Sequence, residues 1–154
     1  MKGNQKLIDK LNDLLSDELT AINQYIVHAE IVENWGYGKL YAMIHERAIT
    51  EMKHANALIE RILFLEGRPI VNRLKEIRIS EEVPNMLKGD LGLELGAVKA
   101  YNEAIALAVE VKDNATKEIL DDILKDEDAH VDNIEEQLDQ IEQMGCQLYL
   151  TTQK

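Results

Sequence analysis

The chain has few residues of the types that end helices, form disulfides or bind metals through sulfur. Its 154 residues include two prolines, eight glycines and one cysteine, and only 5% of its side chains are aromatic. Cys146 alone cannot form a disulfide within the chain, and it leaves no cysteine-based zinc or iron–sulfur site. No apolar run approaches the roughly 20 residues of a membrane-spanning helix, and residues 1–6 lack the apolar stretch of a secretory signal. We therefore expect a cytoplasmic protein that is not inserted in a membrane.

Basic residues are also scarce relative to acidic ones. The chain has 17 Lys and Arg against 29 Asp and Glu, which gives a formal net charge of −12. Such a chain would repel nucleic-acid phosphates, so a nucleic-acid partner is disfavoured. The excess of carboxylates is compatible with cation binding, but by itself it is better explained as a solvated acidic surface.

Long helices dominate the pattern that remains. Apolar residues recur every three or four positions, which predicts helices over about 5–34, 39–66, 83–112 and 115–144, with a short tail helix over about 146–152. Short, long and short connections join the four long helices, as in an all-α four-helix bundle with one crossover. The crossover must return along a helix roughly 40 Å long, and the fifteen residues 68–82 can extend to about 50 Å. We expect residues 1–154 to form a single domain.

The two halves of the chain repeat each other at an offset of 76 residues. Each half has the pattern Glu-Leu-x-Ala-x-x-x-Tyr, followed 33 residues after its glutamate by Glu-x-x-His. The first copy begins at Glu18 and the second at Glu94. The candidate site residues that this repeat supplies are Glu18, Glu51, His54, Glu94, Glu127 and His130.

The predicted hairpins bring these residues to one level. Glu18 lies about 18 residues before the turn near residue 36 and Glu51 about 15 after it, so the two differ in height by roughly 6 Å or less. The second hairpin repeats this arrangement. If the hairpins pack with approximate two-fold symmetry, all six side chains meet.

All six side chains are predicted to point into the core. Glu18 shares the apolar stripe of Leu11, Leu15 and Ile22, and Glu51 and His54 are adjacent on one face of their helix. Buried carboxylates are unfavourable unless they are paired or bound to metal, and two histidines cannot neutralise four of them. A single Glu-x-x-His usually marks solvated surface, but two copies with upstream glutamates predict a site for two divalent cations. Oxygen-rich donors with one imidazole per metal suit iron or manganese.

Several runs of the sequence resemble bacterioferritins, and the resemblance covers essentially the full length. These runs are Met1-Lys2-Gly3, residues 19–25, Asn34-Trp35-Gly36, residues 51–55, residues 61–67 and Tyr149-Leu150. The resemblance implies a ferritin-like bundle with a short C-terminal fifth helix. It also implies iron storage and detoxification by a ferroxidase that uses dioxygen or peroxide, in a hollow homo-oligomer of 24 subunits built from two-fold dimers.

The resemblance assigns roles to the repeated residues. Each iron ion of a di-iron centre would take one glutamate and one histidine, the pairs being Glu18 with His54 and Glu94 with His130. Glu51 and Glu127 would bridge the two ions. Tyr25 would lie beside the site as a hydrogen-bond partner or electron donor, with ordinary core packing as an equal alternative. Tyr101 is expected to serve packing.

Met52 faces a different direction from Glu51, because adjacent residues differ by about 100° around a helix. It shares a second stripe with Ala48, Ile49, Ala55 and Ile59. Periodicity alone makes Met52 a packing residue. The resemblance instead implies that Met52 from two subunits ligates one haem, of type b or a related iron porphyrin, which assists iron release with electrons from a ferredoxin-type partner.

The chain departs from the family at positions near the site. Some bacterioferritins have a histidine and an aspartate on the cavity side of the second helix, where this chain has Glu46 and Thr50. An additional iron site on the inner surface is therefore in doubt. Relatives often have an aromatic residue where this chain has Asn133, so a radical role at that position is excluded.

Other functions fit parts of the pattern. A rubrerythrin-like peroxidase shares the paired Glu-x-x-His plan, but it usually adds a four-cysteine iron site that one cysteine cannot form. A manganese catalase would be distinguished by its native metal. A haem-binding electron carrier with a vestigial metal site, or a metal-free helical scaffold, would lack rapid iron oxidation.

Overall fold

Residues 1–154 form five helices in the computed structural model of the chain. The helices are α1 (Gln5–Asn34), α2 (Gly38–Phe64), α3 (Val83–Glu110), α4 (Asn114–Met144) and α5 (Cys146–Thr151). The predicted all-α bundle with one long crossover and a short fifth helix is confirmed. None of these helices combines the length and the apolar character needed to cross a bilayer.

Two tight turns make the antiparallel hairpins α1–α2 and α3–α4. The first turn uses Gly36, whose φ of 87° is readily adopted only by glycine. In the second turn Lys112 adopts a φ of 61°. The Asp113 side chain accepts a hydrogen bond from the Thr116 amide at 3.0 Å and so caps α4. Arg61 of α2 donates to the same carboxylate at 3.0 Å, which ties the two hairpins together at this end.

The crossover from α2 to α3 is attached to α1 by a ladder of side-chain hydrogen bonds. Five polar residues at four-residue spacing on α1, here called the α1 polar stripe, are buried beneath it: Asn12, Ser16, Thr20, Gln24 and His28. They bond to backbone groups at successive points along the crossover, from residue 68 to residue 80. The segment has no helix or strand of its own, so these bonds satisfy backbone groups that would otherwise lack partners beneath it.

The crossover begins with a close contact at Gly67. A side-chain carbon at this position would lie 2.7 Å from Ile8 and 3.0 Å from Ile62, so the chain can pass here only as glycine. Its backbone does not need a left-handed conformation, which is adopted by Glu66 instead. Helix α2 therefore ends at Phe64, two residues earlier than its periodicity indicates.

The interior of the bundle consists of two apolar clusters separated by a polar layer. One cluster contains 15 buried residues, including Leu11, Leu58 and Leu120. The other contains 12, including Ala29, Ile44 and Ile134. The glutamates and histidines of the internal repeat belong to neither cluster, and they occupy the level between them.

Candidate metal centre

The six residues of the internal repeat come together in the middle of the bundle, one from each of α1 and α3 and two from each of α2 and α4. We call this set the candidate metal centre. It divides into two overlapping groups, within each of which the ligand atoms lie less than 4.8 Å apart. The groups are Glu18, Glu51, His54 and Glu127, and Glu51, Glu94, Glu127 and His130. Glu51 and Glu127 belong to both, as bridging ligands would.

Both histidines direct Nδ1 toward the carboxylates. His54 Nδ1 lies 3.0 Å from Glu127 Oε1 and 3.2 Å from Glu51 Oε2. His130 Nδ1 lies 3.0 Å from Glu51 Oε1 and 3.3 Å from Glu94 Oε1. The ring centroids are 6.4 Å apart, and the two Nδ1 atoms lie 3.0 Å and 3.7 Å from Glu127 Oε1. The arrangement places one nitrogen donor in each group.

Several buried atoms of the candidate metal centre have no hydrogen-bond partner. They are Glu18 Oε2, Glu51 Oε1, Glu94 Oε2, Glu127 Oε1 and His130 Nδ1. Unsatisfied buried polar atoms are rare in proteins, and here nearly all of them belong to one cluster of metal-ligating groups. Carboxylate oxygens and imidazole nitrogens are good donors for iron and manganese. The residues present therefore fit a pair of divalent cations.

Burial and mutual repulsion prevent all four carboxylates from ionising freely. Burial, together with the charge of Glu51, raises the pKa of Glu18 well above its usual value. Burial raises the pKa of Glu127 to about 9, because His54 offsets only part of the effect. Burial would also raise the pKa of Glu51, but close contacts with Glu18 and both histidines outweigh it and lower that pKa. For His130, contacts with carboxylates outweigh burial and raise the pKa to about 9. Without metal, protons thus offset part of the negative charge.

Two buried tyrosines each fix one outer glutamate. Tyr101 donates a hydrogen bond to Glu18 Oε1 at 2.5 Å, and Tyr25 donates to Glu94 Oε1 at 2.6 Å. In both glutamates the other oxygen, Oε2, is left without a partner. Tyr25 therefore lies beside the site, but it contacts the glutamate of the opposite half. The expectation that Tyr101 serves only packing is wrong, because its hydroxyl has the equivalent position in the other half.

A buried ionic network holds Tyr25 in place. Asp90, fully buried on α3, accepts hydrogen bonds from Gln24 at 2.8 Å and from Arg47 at 3.2 Å, and it lies 2.9 Å from His28 Nδ1. The Arg47 guanidinium also covers the Tyr25 ring, 5.0 Å from its centroid. The network therefore links the α1 polar stripe to the tyrosine that contacts Glu94. Sequence reasoning missed Arg47 and Asp90, since a single charge in an apolar stripe does not reveal its partner.

A cavity of about 310 Å³ connects the candidate metal centre to the surface between α1 and α3. Glu18, Glu51, Glu94 and Glu127 line its inner end. On α3, Gly92 and Gly96 border it, and a side-chain carbon at either glycine would have no atom within 4 Å. The two glycines of α3 thus leave a path to the buried carboxylates. In the sequence, this path is indicated by two glycines four residues apart on one helix.

Met52 lies on the outside of the bundle, away from the candidate metal centre. Its side chain is 47% exposed, and Ile49 and Ile26 beside this face are 36% and 38% exposed. The predicted stripe is only partly correct, because Ala48 and Ala55 are buried in the core. The exposed apolar face therefore consists of larger residues, with a thioether among them.

Comparison with known proteins gives one consistent result. A sequence model of the ferritin-like domain matches residues 8–144. A bacterioferritin of Rhodobacter capsulatus is 43% identical over 147 residues, which are 96% of this chain and 91% of that protein. A bacterioferritin of Brucella melitensis biotype 1 is 39% identical over 149 residues, 97% and 92% of the two chains. A bacterioferritin of Streptomyces coelicolor is 38% identical over 152 residues, which are 99% of this chain and 91% of that protein. The residues matched by the ferritin-like model span both copies of the repeat.

Proposed function

The chain belongs to the bacterioferritin family of ferritin-like proteins, and from this premise we propose that it stores iron and oxidises Fe²⁺ to Fe³⁺ at the candidate metal centre. The observation that carries the proposal is the set of unpartnered buried oxygens and nitrogen at the level between the two apolar clusters. In a structural polar layer, hydrogen bonds of good geometry would satisfy these atoms. Here Glu51 Oε1 and Glu127 Oε1 each lie 3.0 Å from a histidine Nδ1 without forming such a bond, as expected of groups that surround a cation site.

The residues of the centre have different roles in binding two Fe²⁺ substrate ions. The four carboxylates supply four negative charges, which match the charge of the two ions. His54 and His130 each orient one ion through Nδ1. Tyr25 and Tyr101 hold Oε1 of the outer glutamates and leave Oε2 free to bind the ion. Glu51 and Glu127 are the proposed bridging ligands.

The reaction balances as a two-electron transfer. Two Fe²⁺ ions each lose one electron, and dioxygen with two protons accepts both electrons to give hydrogen peroxide. Peroxide can serve as the oxidant for two further Fe²⁺ ions, with two more protons, to give two water molecules. The cavity between α1 and α3 supports this proposal, because it allows Fe²⁺ and the oxidant to reach the carboxylates.

Haem at Met52 is the second part of the proposal. The residues fit a haem, because a thioether is a suitable axial ligand and Met52 is exposed on an apolar face where a second copy of the chain could supply another. A bound haem would supply one-electron transfer of the kind that release of stored ferric iron requires. A ferredoxin-type protein is the proposed source of electrons.

A closed shell of 24 copies is the proposed assembly. Its support comes from family membership and from apolar side chains that lie exposed in the single chain. Leu63 and Phe64 at the end of α2 are 58% and 51% exposed, and Val71 and Leu74 on the crossover are 58% and 50% exposed. Apolar surface of this extent usually marks contacts with other protein molecules. Part of the acidic surface would face the stored mineral.

Anaerobic Fe²⁺ titration of the assembled protein, followed by exposure to oxygen, tests the ferroxidase proposal. We expect a fast phase of iron oxidation that saturates near two Fe²⁺ per chain. In Glu51→Gln the fast phase should slow by at least about a hundredfold, because a ligand shared by both positions is lost. Native mass spectrometry checks that the shell remains assembled.

Glu60→Gln is the matched control. Glu60 is exposed on the same helix as Glu51, and its substitution removes the same single negative charge. It should oxidise iron at the rate of the unaltered protein. Absence of a fast phase in the unaltered protein would overturn the proposal and favour a haem carrier or a scaffold. Equal effects of both substitutions would show that the loss reflects surface charge.

A further inference from the structure

The internal repeat is not exact beside the candidate metal centre, and one of the differences places a carboxylate in contact with a histidine of the centre. At the offset of 76 residues that relates the two halves, Asp126 of α4 corresponds to Thr50 of α2. Each residue directly precedes a proposed bridging glutamate, Glu127 or Glu51. The approximate two-fold symmetry therefore gives the two residues equivalent places on either side of the centre.

Asp126 contacts the histidine of the first half. Its Oδ2 lies 2.8 Å from His54 Nε2, while Nδ1 of the same ring faces the carboxylates. A carboxylate at this distance fixes the orientation of the ring, so that Nδ1 is directed toward the carboxylates of the centre. The Asp126 side chain is 53% exposed, so the contact stands at the solvent edge of the centre.

His130 has no corresponding carboxylate. Its only polar contacts within the chain are those of Nδ1 with Glu51, Glu94 and Glu127, and Nε2 forms no hydrogen bond. Thr50 cannot take the role of Asp126, because its hydroxyl donates to the Glu46 carbonyl of its own helix at 3.2 Å. The His130 side chain is also more exposed than that of His54, 16% against 5%.

We propose that Asp126 is a positioning residue that makes the two metal positions unequal, so that the position of His54 binds a divalent cation more tightly and fills first. The inference rests on the proposed function, because it requires that the centre binds two cations. Removal of carboxylates that orient metal-ligating histidines commonly lowers metal affinity by about 10- to 100-fold. Because Asp126 is partly exposed to solvent, we expect the two metal affinities to differ by the lower value of this range, about tenfold.

Titration of the metal-free assembled protein with Co²⁺ under anaerobic conditions tests this inference without any turnover. Calorimetry gives the affinities, and visible absorption reports the coordination of each bound ion. We expect two Co²⁺ per chain, with dissociation constants that differ about tenfold. Asp126→Asn should weaken the tighter site to a value near that of the weaker one. Thr50→Asp should restore the missing carboxylate and tighten the weaker site about tenfold.

Asp128→Asn removes the same charge from an exposed position on α4 and should leave both affinities unchanged. Binding of two Co²⁺ ions with equal affinity would overturn the inference and leave the proposed function intact. No response of either site to Asp126→Asn would also overturn it. Failure of the unaltered protein to bind Co²⁺ would overturn the proposed function as well.

Discussion

The hydroxyls of Tyr25 and Tyr101 decide which oxygen of each outer glutamate is free. Each hydroxyl bonds to Oε1, and each Oε2 has no partner. A phenylalanine would keep the ring and its packing but release the carboxylate to rotate. The glutamate would then have to be ordered by the metal itself, at a cost in binding free energy.

We predict that Tyr25→Phe and Tyr101→Phe each weaken Co²⁺ binding about tenfold, as the loss of an outer hydrogen bond to a metal ligand commonly does. Tyr149→Phe is the control, because its hydroxyl bonds to Gln137, outside the centre. It should lower the thermal unfolding temperature without changing Co²⁺ affinity. Calorimetric titration of the three variants checks this, and equal affinity in all three would contradict the ordering role.

The chemistry of the ligands could be predicted from the sequence, while that of their neighbours could not. The repeat identifies Glu51 and Glu127 because two copies of one spacing must meet if the halves pack symmetrically. Tyr101 belongs to the same repeat, yet its periodicity is that of any core residue. Whether its hydroxyl reaches Glu18 depends on how α1 and α3 are rotated against each other, which the spacing within one helix does not determine.

At the scale of the element, the α1 polar stripe explains how a long segment without secondary structure keeps a fixed course. Thr20 illustrates the arrangement, because its hydroxyl donates to the Ser16 carbonyl at 2.7 Å and accepts from the Lys75 amide at 2.8 Å. The stripe bonds to the crossover along its whole length, and two of its members, Gln24 and His28, also contact Asp90 of α3. Its polar residues therefore hold the crossover in place, although they lie on a helix whose apolar face makes the core.

Thr20→Val should open the crossover locally. Valine matches threonine in shape but cannot accept the hydrogen bond from the Lys75 amide, and loss of such a bond costs about 0.5–1.5 kcal/mol. We expect faster amide hydrogen exchange over residues 68–80 and little change at the α3–α4 turn. Asn102→Ala is the control, because that side chain is exposed and bonds only within α3. An unchanged exchange rate over the crossover in Thr20→Val would show that the ladder does not hold it.

The helix boundaries could be predicted from the sequence, whereas the course of the crossover could not. The all-α bundle and its crossover follow from periodicity and connection length, and each helix ends within two residues of the predicted position. The course of the crossover does not follow, because its bonds are made by backbone groups that carry no sequence signal. The four-residue spacing from Asn12 to His28 does indicate a second buried face of α1. It is recognised only when polar residues, and not apolar ones, are considered for burial.

At the scale of the whole molecule, the inner surface of α2 contributes to the candidate metal centre and its outer surface to the proposed haem site. The inner surface carries Glu51 and His54, which are buried, while Met52 between them is exposed. The centre is complete within one chain, since all six of its residues come from the same bundle. A haem held between two copies would require a second chain. The two functions should therefore be separable by substitution.

Met52→Leu should remove haem and leave iron oxidation unchanged. Leucine keeps the volume and apolar character of the exposed face, so contacts between subunits should persist, but it has no thioether to ligate iron. We expect loss of the Soret band, an unchanged assembly mass and an unchanged fast phase of Fe²⁺ oxidation. Met43→Leu, a partly buried position on the same helix, should retain the Soret band. Retention of haem by Met52→Leu would place the haem elsewhere, and loss of the fast phase would show that the two sites depend on each other.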